Sequence, residues 1–202
     1  MIDLIQKHLE AIYDIEGPDI REFLVDREGV RAMLGDEARP SREWVLVRQA
    51  DEQVDIGVYL DEDDLRAVEA RTPAEAVREV LPAWCALTEG VSHFLLLARR
   101  AARDETVSLL ELEVQAEVDK FVTARLHTGP DPALRRRLFH EATLVEGLAP
   151  EERERYTEAG RLADRYCARL ERCRDVAGLL TELRGFYRRT GHARLDMLRR
   201  AA

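Results

Sequence analysis

Apolar positions recur at helical spacing through most of the chain, and the pattern is strongest over residues 72–126. Val77, Val80, Leu81, Trp84, Leu87, Val91, Phe94, Leu95 and Ala98 form one stripe, which predicts a long amphipathic helix. Thr72 precedes Pro73 and stands three residues before Glu75, so a capping box with proline in the first turn opens it. Pro82 falls inside the run and removes the backbone bond to Arg78, which predicts a kink or break. Residues 94–98 are apolar on every side, as in a segment buried all round. Asp104 and Glu105 make a turn. Ser108, with Glu111 three residues on, caps a second helix. Its most apolar arc holds Leu110, Val114, Val118, Phe121 and Ala124. Glu117 projects into that arc and Glu113 lies at its edge. A carboxylate buried there must be protonated, paired or bound to a cation.

The flanking segments are patterned less uniformly. Ile2, Ile5, Leu9 and Ile12 share a face and predict a first helix ending at Glu16-Gly17-Pro18-Asp19. Residues 20–35 fit a helix ending at Gly35, with 23–25 also readable as an edge strand. Strict alternation of Val54, Ile56, Val58 and Leu60, after the apolar run at 44–47, predicts an antiparallel hairpin over 43–60 with its turn at 50–52. Asp61 is placed as the N-cap of a helix whose first turn is acidic, Glu62-Asp63-Asp64. Beyond the break at 128–132, Leu134, Leu138, Ala142 and Val145 predict a helix over 132–147, with Glu141 on its stripe and His140 to the side. Two further helical patterns follow, over 150–170 and from Val176 to an interruption at Thr190-Gly191, with a short last helix after it. The fold predicted is mostly α: a bundle of about five to seven helices with one small hairpin near the N-terminus. Residues 1–71 form a small α+β part and 72–202 the bundle, together one compact domain.

Composition narrows the function classes. The chain has 202 residues, of which 46% are hydrophobic and 35% charged, as in a globular protein rich in helix. Its formal net charge of −9 disfavours general binding to nucleic acid, which needs a basic surface. The basic residues are nearly all arginine; the only lysines are Lys7 and Lys120. Cys85, Cys167 and Cys173 lack metal-binding or redox spacing and read as reduced core residues of a cytoplasmic protein. The first sixteen residues lack a signal-peptide pattern, and no apolar run approaches the ~20 residues of a membrane span.

Glu89, His93, Glu113, Glu117, His140 and Glu141 are the candidate chemistry. Carboxylates and imidazoles between helices can hold divalent metals, and Glu89/His93 and Glu113/Glu117 each share a face at a spacing of four. No Glu-x-x-His element is present. On the wheel Glu89 and His93 point away from their stripe, toward the surface, whereas Glu117 and Glu141 are the buried acids, with arginines as their expected partners. Residues 135–140, RRRLFH, carry Arg135 and His140 separated by four residues. This resembles the short signature of HEPN ribonucleases, small helical bundles in which the pair contacts and cleaves RNA, usually across a dimer. The resemblance covers six residues, and Arg136 replaces the polar residue that usually follows the Arg. Glu-rich helices also resemble the all-α NTP pyrophosphohydrolases of the MazG type, whose paired acidic motifs hold Mg²⁺, but Glu113, Glu117 and Asp119 do not reproduce that spacing.

Three functional readings follow. The first is a non-catalytic interaction module acting on a protein partner or as a homodimer, through the hairpin edge and the amphipathic C-terminal helices. The second is a helical-bundle enzyme with Glu113, Glu117, Glu141, Glu89 or His93 on a divalent metal. The third is a HEPN-like ribonuclease using Arg135 and His140.

Overall fold

Helix signals in the sequence turn into helices with their caps in place. A computed structural model of the chain describes residues 1–35, 41–50, 53–145, 147–173 and 175–200. Among these, ten α-helices run in the order α1 (Ile2–Tyr13), α2 (Arg27–Leu34), then the strands β1 (Glu43–Ala50) and β2 (Gln53–Leu60), then α3 (Glu62–Glu69), α4 (Pro73–Glu79), α5 (Leu81–Ala101), α6 (Leu109–Thr128), α7 (Leu134–Phe139), α8 (Pro150–Leu170), α9 (Val176–Arg188) and α10 (Gly191–Arg200). The mostly α fold with a single small hairpin is the one the pattern predicts; short helices raise the count. Thr72–Glu75 and Ser108–Glu111 each form a reciprocal capping box, and the Asp61 side chain accepts from the Asp63 and Asp64 amides. Pro82 acts as a helix start: the chain breaks at Val80, and Pro82 lies in the first turn of α5, where its missing N–H costs nothing.

Residues 20–35 combine both readings made of them. A 3-10 turn covers Ile20–Phe23, Leu24 bridges Val58 in parallel, and α2 then runs to Leu34, with Gly35 as its C-cap. The β1–β2 pairing is antiparallel with Glu43 opposite Leu60 and Val47 opposite Ile56. Residues 51–52 of the expected turn lie outside the described residues. The helix expected over 132–147 stops at Phe139. Leu134 and Leu138 are buried in the core, but Leu144 and Val145 are exposed. A stripe that finds nothing to pack on does not hold a helix.

Two antiparallel helices organise the rest. α5 touches α1, α3, α4, α6 and both strands, and α6 lies between α5 and α8. By length and composition α5 could cross a membrane, which corrects the expectation that no stretch approaches that length; 67% of its most apolar window is buried inside the protein. α6 is buried on nearly every face from Glu111 to Ala124. Its polar arc packs on α5, and α8 packs against it as well. The α5–α6 seam is therefore laced with polar pairs: Trp84 Nε1 donates to Thr123 Oγ1 at 3.3 Å, Lys120 meets Glu89, Ser92 Oγ donates to Asp119 at 2.6 Å and His93 faces Glu113.

Candidate metal centre

The α5–α6 seam and the root of the hairpin enclose four carboxylates, an imidazole and an ammonium. Glu89 and His93 lie one turn apart on α5. Glu113, Glu117 and Lys120 come from the facing arc of α6, Glu43 is the first residue of β1, and Arg155 reaches in from α8. Gly90 lets the hairpin approach. A Cβ there would stand 2.6 Å from Leu60 Cδ2 and 3.8 Å from the Glu43 Cβ. The hairpin root is also clamped: Arg42 bonds Asp64 through Nε at 2.6 Å and Nη2 at 2.5 Å, and the Asp61 amide donates to the Arg42 carbonyl. Glu43 follows Arg42 directly, so this clamp fixes where its side chain starts.

One ligand atom each from Glu43, Glu89 and His93 lies within 4.8 Å of the others. His93 Nε2 is 3.7 Å from a Glu113 oxygen. Lys120 Nζ is 2.6 Å from Glu89 and 2.9 Å from Glu117, and Arg155 Nε is 3.4 Å from Glu113. Glu43 Oε2 and His93 Nε2 are both shielded from solvent and have no hydrogen-bond partner among the described residues. Buried polar atoms without a partner are uncommon and call for one. The Leu112 backbone lies beside the imidazole and favours its protonated form, against burial.

The electrostatics follow from four carboxylates set against two cations. Burial, together with Glu89 and Glu113, pushes the Glu43 carboxyl well above its ordinary range. Burial and Glu89 push Glu113 up to about 7, against the pull of Lys120 and Arg155. Burial acts upward on Glu89 as well, but Lys120 and His93 outweigh it and hold Glu89 below the usual value. Burial opposes the Lys120 charge, yet Glu117 and Glu89 keep its ammonium protonated well beyond the normal range. Burial pulls the His93 imidazole below its ordinary value, with Glu89 pulling the other way. Tyr156, beside Arg155, is raised by burial and by Glu113, Glu89 and Glu43, so its hydroxyl stays a proton donor. The arrangement presents two oxygens and one nitrogen to a cation, with a further carboxylate adjacent.

The residues singled out from sequence divide sharply. Glu89 and His93, placed at the surface by the wheel, are in the centre: His93 is 8% exposed. The wheel failed because α5 has no solvent face along this stretch. Glu113 belongs to the cluster. Glu117 sits at its edge, paired with a lysine where an arginine was expected. Glu141 lies beyond the end of α7, is 51% exposed and pairs with Arg136 at 2.9 Å, so the reading of it as a buried acid is corrected. Arg135 contacts Asp164 at 2.5 Å and Glu171 at 3.2 Å, and His140 faces Asp164 at 3.4 Å. A phosphate at that pair would have to displace carboxylates. Glu43, Lys120, Arg155 and Tyr156 went unrecognised. Lys120 carried a signal: a lysine inside a helix of a chain that otherwise uses arginine almost throughout.

A second buried network lies across α6. Asp119 accepts from Tyr13 Oη, from Ser92 Oγ and, at 2.8 Å, from Gln115 Nε2. Gln115 in turn accepts from the fully buried Arg194 of α10, whose guanidinium lies 4.2 Å from the Phe186 ring centroid. This network ties α1, α5, α6 and α10 together. No protein-family model, curated protein or solved structure matches the chain.

Proposed function

We propose that the protein is a metal-dependent enzyme in which Glu43, Glu89 and His93 would hold one divalent first-row ion, which would supply an acidified water, with Glu113 as the general base. The observation that carries this reading is that Glu43, Glu89 and His93 each bring a ligand atom within 4.8 Å of the others, while Glu43 Oε2 and His93 Nε2 are buried without a hydrogen-bond partner among the described residues. Two carboxylates and an imidazole suit Mn²⁺, Fe²⁺ or Zn²⁺ better than Ca²⁺. Three protein ligands leave a coordination position for water or substrate, the pattern of catalytic rather than structural sites. Purified protein dialysed against each ion should retain one equivalent per chain by elemental analysis, and Glu89→Gln should retain none. If the wild type keeps no Mn²⁺, Fe²⁺ or Zn²⁺, the reading fails.

A second reading, a contact role as a homodimer, is favoured by the outer edge of β1. β1 has β2 as its one strand neighbour among the described residues, and Val47 is half exposed near the hairpin tip. Antiparallel β1–β1 pairing would give a four-stranded sheet across two copies. Light scattering should then give twice the chain mass, and a mass of one chain over the whole concentration range excludes it.

A further inference from the structure

One cation already stands among the carboxylates, and the protein supplies it itself. Lys120 Nζ bridges Glu89 on α5 and Glu117 on α6 at 2.6 and 2.9 Å, as a bridging metal ion would. The Glu89 carboxylate is shared, because it also converges with Glu43 and His93. Lysine suits this place where arginine does not. Its ammonium is a compact point charge, whereas a guanidinium is a planar fork. Charge fixes the occupancy. With all four carboxyls ionised, Glu43, Glu89, Glu113 and Glu117 bring four negative charges against the two positive ones of Lys120 and Arg155, and one divalent ion balances the set. A second divalent ion beside the ammonium would leave two uncompensated buried positive charges, which is costly. We propose that Lys120 occupies the second position of a two-cation, four-carboxylate site, holding it to one metal, and that a second divalent ion binds between Glu89 and Glu117 when the amine is removed. This rests on the metal reading of Glu43, Glu89 and His93 for the first position only.

The test is equilibrium dialysis with Mn²⁺, which prefers carboxylate oxygen and so avoids the Cys85 thiol one turn from Glu89. Wild type should bind one equivalent and Lys120→Ala two, with the six-line paramagnetic resonance signal of an isolated Mn²⁺ giving way to an exchange-coupled spectrum. Lys120→Ala with Glu117→Gln should return to one. Wild type and Lys120→Ala both at one equivalent overturns the proposal. Wild type at none, with Lys120→Ala at one that Glu117→Gln removes, overturns the first position and upholds the second. None in either protein overturns both. Should Lys120→Ala lose its cooperative unfolding transition, millimolar Mn²⁺ should restore it, because the ion replaces the ammonium. Failure of that rescue in both Lys120→Ala and Lys120→Gln also overturns the proposal.

Discussion

A divalent ion at a thousandfold excess over its Kd should stabilise the folded chain by about 4 kcal/mol, because a ligand bound only to the native state adds RT ln(1 + [L]/Kd). His93→Ala should lose that gain by removing the nitrogen ligand. Glu43→Gln should lose it too, but with an opposite effect on the metal-free protein. Metal-free Glu43 is a carboxyl with an unpartnered buried oxygen, set against Glu89 and Glu113. A glutamine amide there can donate to the neighbouring Glu89 carboxylate and carries no charge. The metal-free variant should therefore be more stable than wild type by on the order of 1–2 kcal/mol, the cost of one buried unsatisfied polar group. Most substitutions destabilise, so a gain in stability coupled to a lost metal response marks a group kept for binding. Urea unfolding with and without Mn²⁺ measures both effects. Equal metal stabilisation of wild type and Glu43→Gln would remove Glu43 from the ligand set.

What the sequence made legible was local. Capping boxes at Thr72 and Ser108, the Asp61 cap and the alternation over 54–60 each depend on residues within a few positions of one another, and each formed as read. The site was less legible because it depends on which faces pack. A helical wheel assumes that one face meets solvent. α6 has no such face over its middle, so its polar arc is an interface with α5, and Glu113, Asp119 and Lys120 are buried by a neighbour that the wheel does not contain. The same assumption placed Glu89 and His93 outside. It placed Glu141 inside, because the stripe at Leu134 and Leu138 was extended to residues with nothing to pack against. Glu43 could not be connected at all, since its proximity to Glu89 depends on the hairpin crossing α5 at Gly90, a long-range approach that only the missing Cβ hints at.

The Asp119 network gives the second large effect, and its sign is set by burial. Burial raises Asp119 from 3.8 to about 6, although the bonds from Ser92, Tyr13 and Gln115 favour its charge. A carboxyl raised in the folded state holds its proton more tightly there than when unfolded. Its contribution is therefore fully present below about pH 4 and is lost as the pH rises through about 6. The rise from 3.8 to about 6 corresponds to ~3 kcal/mol. Asparagine at 119 keeps the shape, accepts from Tyr13 and Gln115 through its oxygen, offers its amide to the Ser92 hydroxyl and cannot ionise. The stability of wild type minus that of Asp119→Asn should therefore fall by ~3 kcal/mol between about pH 4 and about pH 7.5. Taking the difference cancels the other groups that titrate in this range, including His8 and His127, which burial lowers in both proteins. Any constant cost of the asparagine appears at both pH values and cancels as well. Paired urea titrations supply the measurement. A difference that stays flat with pH would mean that the ionised carboxylate is as well solvated by Ser92, Tyr13 and Gln115 as it is by water, and that the network is a preorganised anion cradle rather than a buried cost.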